Sequence, residues 1–99
     1  MEKRVEIAGR ALRLRYTVNA LCAVEDRAGG SLDNIMERQF TATRLLLWGA
    51  LLEEQPEMTI AMTGDLISRH IADGGTLDEI VNLCADALES AGFFRHGAA

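Results

Sequence analysis

The chain has 99 residues and carries a net charge of −5, with 48% hydrophobic and 25% charged side chains. This length corresponds to a single domain, 1–99, which can bury about 60 to 65% of the surface of its unfolded chain. The negative charge argues against nucleic acid as a partner, because such binding depends on neutralising phosphates with Lys and Arg. The apolar run Leu45–Leu52 is far shorter than the roughly 20 residues that cross a bilayer. We therefore expect no nucleic-acid partner and no membrane insertion.

The charges are distributed unevenly along the chain. Residues 1–50 carry eight basic and six acidic side chains, whereas residues 51–99 carry two and nine. Two interpretations follow. Arg13 and Arg15 could face the acidic half of the same chain, or the acidic half could present its surface to a basic partner.

The cysteine pattern indicates structural thiols. Cys22 and Cys84 lie among apolar residues of predicted helices, where a thiol behaves as a small buried hydrophobe. Neither belongs to a CxxC motif or a Cys/His cluster, and no apolar stretch resembling a signal peptide follows Met1–Arg4. We expect free cysteines and a reducing, cytoplasmic location.

The first 16 residues show the alternation of a β-hairpin. Apolar and polar side chains alternate on either side of a turn at Gly9 and Arg10, which predicts two strands with one buried face. The alternating apolar residues are Val5, Ile7, Leu12, Leu14 and Tyr16.

Helical signals fill residues 17–94. Thr17 is placed to cap a first helix from Val18 to Arg27, with Gly29 and Gly30 as its stop. Its predicted stripe contains Val18, Leu21, Cys22 and Glu25. Ser31 is placed to cap a short second helix, "LDNIMERQ".

Three more helices are expected after residue 40. Thr41 or Thr43 begins an apolar helix that ends near Gln55, because Pro56 disfavours helical geometry before it. Thr59 opens the next helix, which Gly74 and Gly75 end; its stripe contains Ile60, Gly64, Ile67 and Ile71. Thr76 and Glu79 form a capping-box pattern for the last helix, which Gly92 ends. Its buried stripe is expected to contain Leu77, Ile80, Val81, Cys84, Leu88 and Ala91.

The sequence thus predicts an α+β, mainly α fold. An N-terminal hairpin over 1–16 precedes a bundle of four to five helices over 17–94, and a flexible tail follows over 95–99. The helix containing Leu45–Leu52 would point apolar side chains in every direction, so it is a core element, a partner surface or both. Gly49 and Gly64 each cost a helix about 1 kcal/mol. They mark either a close approach of two helices or a tolerated glycine.

No catalytic constellation is present in the sequence. His70 has Arg69 and Asp73 nearby, but a metal site needs three or four ligands and a nucleophilic triad needs a partnered Ser or Cys. We therefore expect a non-enzymatic protein without a metal or a cofactor.

One stretch has a chemical alternative. "GGSLDNIME" resembles the attachment site of acyl carrier proteins, in which a serine at a helix N-terminus carries a phosphopantetheine arm. Ser31 and Leu32 match that motif, but Gly30 stands where the family has an aspartate. An N-cap role for Ser31 explains the stretch without a cofactor.

Two longer stretches resemble the tail assembly chaperones of long-tailed bacteriophages and gene transfer agents. The stretches are "LRLRYTVNALCAVEDRAGGSLDNI" and "RLLLWGALLEEQPEMTIAMTGDLISRHIADGG", and the final helix "TLDEIVNLCADALESAGFF" agrees in position and character. The resemblance implies a phage or prophage protein that binds the tape measure protein and tail tube protein during tail morphogenesis. It also implies a place in the bacterial host cytoplasm, absence from the mature virion and a longer product made by ribosomal frameshifting.

These observations predict an apolar docking surface with an acidic rim. Its predicted apolar members are Trp48, Leu52, Phe93 and Phe94, and its acidic members are Glu53, Glu54 and Glu57. Alternatively, Trp48 and both phenylalanines belong to the core. A small adaptor module that self-associates into a homo-oligomer is the alternative function for the same surface.

Overall fold

The computed structural model describes residues 3–29 and 37–93. An antiparallel hairpin precedes four helices in these residues, so the predicted α+β, mainly α fold is confirmed. The elements are β1 (Lys3–Ile7), β2 (Arg10–Leu14), α1 (Val18–Ala28), α2 (Gln39–Leu51), α3 (Ile60–Ala72) and α4 (Leu77–Ala91). The predictions for Ser31 and the first part of its helix, for Phe94 and for the tail over 95–99 fall outside the described residues. The end of that predicted helix is wrong, because Glu37 and Arg38 are not helical and Gln39 begins α2.

The hairpin forms where the apolar alternation predicts it. Val5 pairs with Leu12, and the turn residues Ala8 and Gly9 both have positive φ, 54° and 77°. This geometry is the tight turn that matches the right-handed twist of two antiparallel strands. The turn therefore lies one residue earlier than predicted. One face of the hairpin enters the core, with Ile7, Leu12 and Leu14 buried.

Tyr16 joins the hairpin to α2. Its hydroxyl donates to the carbonyl oxygen of Leu46 at 2.6 Å, and one residue earlier the backbone N–H of Arg15 donates to the carbonyl of Ala50 at 2.9 Å. Burial raises the pKa of the Tyr16 hydroxyl well above its ordinary value. The hydroxyl therefore stays protonated and keeps donating to the helix.

The helix α2 is the centre of the fold. It packs against β2, α1, α3 and α4, and every residue from Leu45 to Leu51 is buried. The core interpretation of the apolar run is therefore confirmed for these residues. The bounds differ from the prediction, since the Thr43 hydroxyl donates to the carbonyl of Gln39 at 2.8 Å from inside the helix. At the other end, the helix closes at Leu51 rather than near Gln55.

α1 has the predicted caps but a different buried face. The Thr17 hydroxyl accepts the backbone N–H of Ala20 at 3.0 Å, and Gly29 closes the helix with φ of 79°. Ala20 and Val24 are the buried residues, and Leu21 packs partly buried against the core. Val18 and Cys22 are exposed, so the predicted stripe is wrong at these two positions and the predicted burial of Cys22 is wrong. The main contact of α1 is with α2, and it therefore buries the small residues that permit close packing there.

Gly49 explains this arrangement. A Cβ at position 49 would collide with Cγ2 of Val24, so α1 and α2 approach as closely as they do because Gly49 has no side chain. A Cβ at Gly64, by contrast, would meet the flexible side chain of Arg44, with Cδ at 3.1 Å. The close helix approach is therefore confirmed at Gly49, and Gly64 packs beneath an arginine side chain.

α3 and α4 complete the bundle. Thr59 caps α3 by accepting the N–H of Met62 at 3.0 Å, and Thr76 forms the predicted capping box with Glu79. The buried residues of α3 are Thr63, Leu66 and Ile67, and those of α4 are Ile80, Cys84 and Ala87. Ile71 was expected on the α3 stripe, but 42% of its surface is exposed. Burial raises the pKa of the Cys84 thiol to about 11.

Candidate functional site

Trp48 belongs to the core. Only 6% of its surface is exposed, and its indole N–H donates to the carbonyl oxygen of Met58 at 3.1 Å. The guanidinium carbon of Arg27 lies over the ring, 5.4 Å from the centroid. The prediction of Trp48 as an apolar docking residue is therefore wrong. The surrounding elements enclose α2, and the polar atom of the indole is satisfied internally.

The predicted acidic rim lies at the surface, where Glu54 contacts β2 and Glu53 contacts the N-cap of α1. Glu54 forms an ion pair with Arg13 at 3.4 Å, and Glu53 accepts a hydrogen bond from the Thr17 hydroxyl at 3.2 Å. The two oppositely charged halves of the chain therefore pair with each other at Arg13. Glu57 is exposed, and Leu52 is half-buried beside the core. Because exposed ion pairs contribute about 0 to 1 kcal/mol, these contacts orient the turn more than they stabilise it.

Phe93 remains at the surface, directly after Gly92, which caps α4. It is 40% exposed. Of the predicted docking set, Trp48 is thus enclosed, Glu53 and Glu54 contact Thr17 and Arg13, and Phe93 follows the last helix.

A different apolar surface lies between α2 and α3. It is a groove of about 310 Å³, and we call it the α2–α3 groove. Phe40, in the first turn of α2, is 72% exposed and forms one side; Ile71 of α3 forms part of the other. The complete lining is Phe40, Thr41, Arg44, Gly64, Ile67, Ser68, Ile71 and Leu77.

Small residues and one arginine shape this groove. Gly64 and Ser68 lie one turn apart on α3, so this part of the helix presents almost no side-chain bulk. The Arg44 side chain crosses toward Gly64 from α2. No acidic side chain within 3–29 and 37–93 forms an ion pair with Arg44. The groove therefore combines apolar walls with a positively charged group.

The sequence did contain a signal for Phe40. It precedes Arg44 by four residues, so the two side chains share one line along a helix, and an exposed arginine on that line places Phe40 toward solvent as well. A helix predicted to begin at Thr41 or Thr43 does not include Phe40, so that prediction does not relate the two side chains. Ile71 lies on the predicted stripe of α3, and only the position of the neighbouring helices shows that 42% of it is exposed.

His70 has a structural role in the described residues. Its Nε2 lies 3.2 Å from Oε1 of Glu79, and Glu79 also accepts the backbone N–H of Thr76 at 2.7 Å. The hydrogen bond from Thr76, followed by the contact with His70, holds the pKa of the exposed Glu79 carboxyl below its ordinary value. These contacts link the C-terminal part of α3 to the start of α4.

Two other features are absent from the described residues. Residues 3–29 and 37–93 contain no group of three or more His, Cys, Asp or Glu side chains that could hold a metal ion. No helix in that part of the chain is both long and apolar enough to cross a membrane. The α2–α3 groove is suited to binding apolar side chains. No protein-family model, curated protein or solved structure matches the chain.

Proposed function

We propose that the chain is a non-enzymatic tail assembly chaperone of a long-tailed phage, a prophage or a gene transfer agent. In this role it binds a hydrophobic helical segment of the tape measure protein, or the tail tube protein, during tail morphogenesis. Two lines support the proposal. The sequence pattern resembles that family over most of the chain, and the α2–α3 groove leaves apolar side chains open to a partner.

Phe40 is the observation that carries the proposal. A phenylalanine in contact with a partner buries about 150 to 250 Å². At about 25 cal/mol per Å², burying the 72% that is exposed contributes about 3 to 4 kcal/mol before the cost of association. That magnitude is typical of a binding hot spot, where truncation costs about 2 kcal/mol or more.

The test is co-expression with the tape measure protein encoded in the same genome. We expect the wild-type chain to keep the tape measure protein in the soluble fraction and to co-elute with it. The variant Phe40→Ser/Ile71→Ser should lose both properties, because it removes the two exposed apolar side chains of the groove. Its stability should change little, since both side chains are substantially exposed.

The chain supplies a matched control in Met62→Ser. Met62 is exposed to the same extent as Ile71, 42%, and lies about two and a half turns away on the opposite face of α3. This control should keep the tape measure protein soluble. Equal retention by the groove variant and the control would contradict the proposal. A stable homo-oligomer that ignores the tape measure protein would instead favour the adaptor function.

A further inference from the structure

The geometry points to a specific partner chemistry for the α2–α3 groove: an amphipathic helix that presents apolar anchors together with a carboxylate that pairs with Arg44. The inference rests on the proposed function for the use of the groove by a partner. It adds a chemical feature, a carboxylate, by which the groove would select one apolar segment over another.

The position of Arg44 is the first step. Relative to a Cβ at Gly64, Cδ of Arg44 lies at 3.1 Å and Nη1 at 3.9 Å. The stem therefore lies over Gly64 on α3, and the exposed guanidinium borders the groove. A carboxylate that enters the groove would meet this guanidinium.

The hydrogen-bonding state of Arg44 is the second step. Arg13 pairs with Glu54, Arg69 pairs with Asp73 at 3.7 Å, and the Arg27 guanidinium covers Trp48. Arg44 forms no such contact within the described ranges. Its five N–H donors remain available, in the planar geometry that matches a carboxylate.

The shape of the groove indicates a helix as the occupant. The groove lies between two helices, and Phe40 and Ile71 offer apolar walls on either side of it, so it can receive the apolar face of an amphipathic helix. A second copy of the chain fits less well, because two copies that each carry a net charge of −5 repel each other. The groove, about 310 Å³ in volume, accommodates one or two anchoring side chains of a partner helix.

The charge of the chain then favours one register of the partner helix in the groove. With a net charge of −5, the protein repels carboxylates that approach its acidic regions, and Arg44 is a local exception at the groove. At physiological salt, the attraction between two exposed charges is largely screened beyond the Debye length of about 8 Å. A carboxylate on the partner is therefore favoured in the one register that brings it to Arg44.

The test uses three fluorescein-labelled helical peptides with leucines at i, i+3 and i+7. They carry Glu, Gln or Lys at i+4, and their affinity for the full chain is measured by fluorescence anisotropy. We expect the Glu peptide to bind about fivefold more tightly than the Gln peptide, and the Lys peptide most weakly. With Arg44→Gln the Glu preference should disappear, and with Arg44→Glu the order should reverse. Phe40→Ser should weaken all three peptides, whereas Met62→Ser should leave them unchanged.

Several results would overturn the inference. These are equal binding of the three peptides, no binding of the Glu peptide, and a Glu preference that persists in Arg44→Gln. Sedimentation equilibrium could give a further contrary result. If the free chain is a dimer and Phe40→Ser dissociates it, the groove belongs to a second copy of the chain. If the tape measure protein is retained but the peptide order is absent, this inference fails and the proposed function stands. If the peptides bind in the expected order but the tape measure protein is not retained, the proposed function fails and the peptide preference of the groove stands.

Discussion

Gly49 provides the sharpest test of the packing, because Gly49→Ala has two opposing effects. Alanine favours the helix interior over glycine by about 1 kcal/mol. At this position, however, the new methyl group collides with Cγ2 of the fully buried Val24. Overpacking a core in this way costs about 1 to 3 kcal/mol. We expect a net loss of about 1 kcal/mol, which lowers the Tm by about 4 to 8 °C in a domain of this size.

Gly64→Ala is the matched control in the other helix. Its methyl group meets only Cδ of the exposed, flexible Arg44 side chain, at 3.1 Å, and that side chain can move aside. We expect Gly64→Ala to stabilise the protein by about 0.5 to 1 kcal/mol. The two glycine-to-alanine variants should therefore differ by about 2 kcal/mol, with opposite signs.

A double-mutant cycle identifies the contact responsible. Val24→Ala alone should cost about 2 kcal/mol, because it empties part of the α1–α2 interface. In the double variant the methyl group at position 49 occupies the vacated space. The combined loss should therefore be smaller than the sum of the single losses by about 1 to 2 kcal/mol.

Urea unfolding followed by circular dichroism and by the fluorescence of the single tryptophan measures these free energies. The reasoning is refuted if Gly49→Ala is as stable as Gly64→Ala, or if the cycle shows strict additivity.

Three further predictions concern the core and the start of α4. In a urea titration, Trp48→Ala should lower the free energy of unfolding by about 3 to 5 kcal/mol. Trp48→Phe should lower it by about 1 to 3 kcal/mol, because the buried carbonyl of Met58 then has no donor. An unchanged unfolding midpoint for either variant would show that the indole is not part of the core. Native protein should react with Ellman's reagent quickly at the exposed Cys22, while Cys84, buried and with its pKa raised to about 11, should react only on unfolding; equal rates would contradict this burial. The lowered pKa of Glu79 contributes stability that is present above the ordinary glutamate pKa of about 4.3 and is lost as the pH falls through the lower folded-state pKa. Melting curves of wild type and Glu79→Gln, which keeps the cap but cannot titrate, should therefore converge on acidification, and parallel pH profiles would exclude this contribution.

Local interactions account for what the sequence alone determined. The hairpin follows from its alternation and its turn, and the helix ends at Thr17, Thr59 and Thr76 follow from side chains that bond to backbone N–H groups three residues away. These signals act within a few residues, so they do not depend on the rest of the fold. The central position of α2 also follows from the sequence, because a helix that is apolar on all sides must be surrounded.

Only the tertiary structure decided which surfaces remain open. Val18 and Cys22 are exposed because α1 packs through Val24 against Gly49, a contact between residues far apart in the chain. Trp48 can lie in the core because the carbonyl of Met58, ten positions later, accepts the hydrogen bond from its indole N–H. The groove beside Phe40 exists because α2, α3 and the start of α4 come together around it. Such outcomes depend on which helix lies beside which, and hydrophobic periodicity along one helix contains no information about its neighbours.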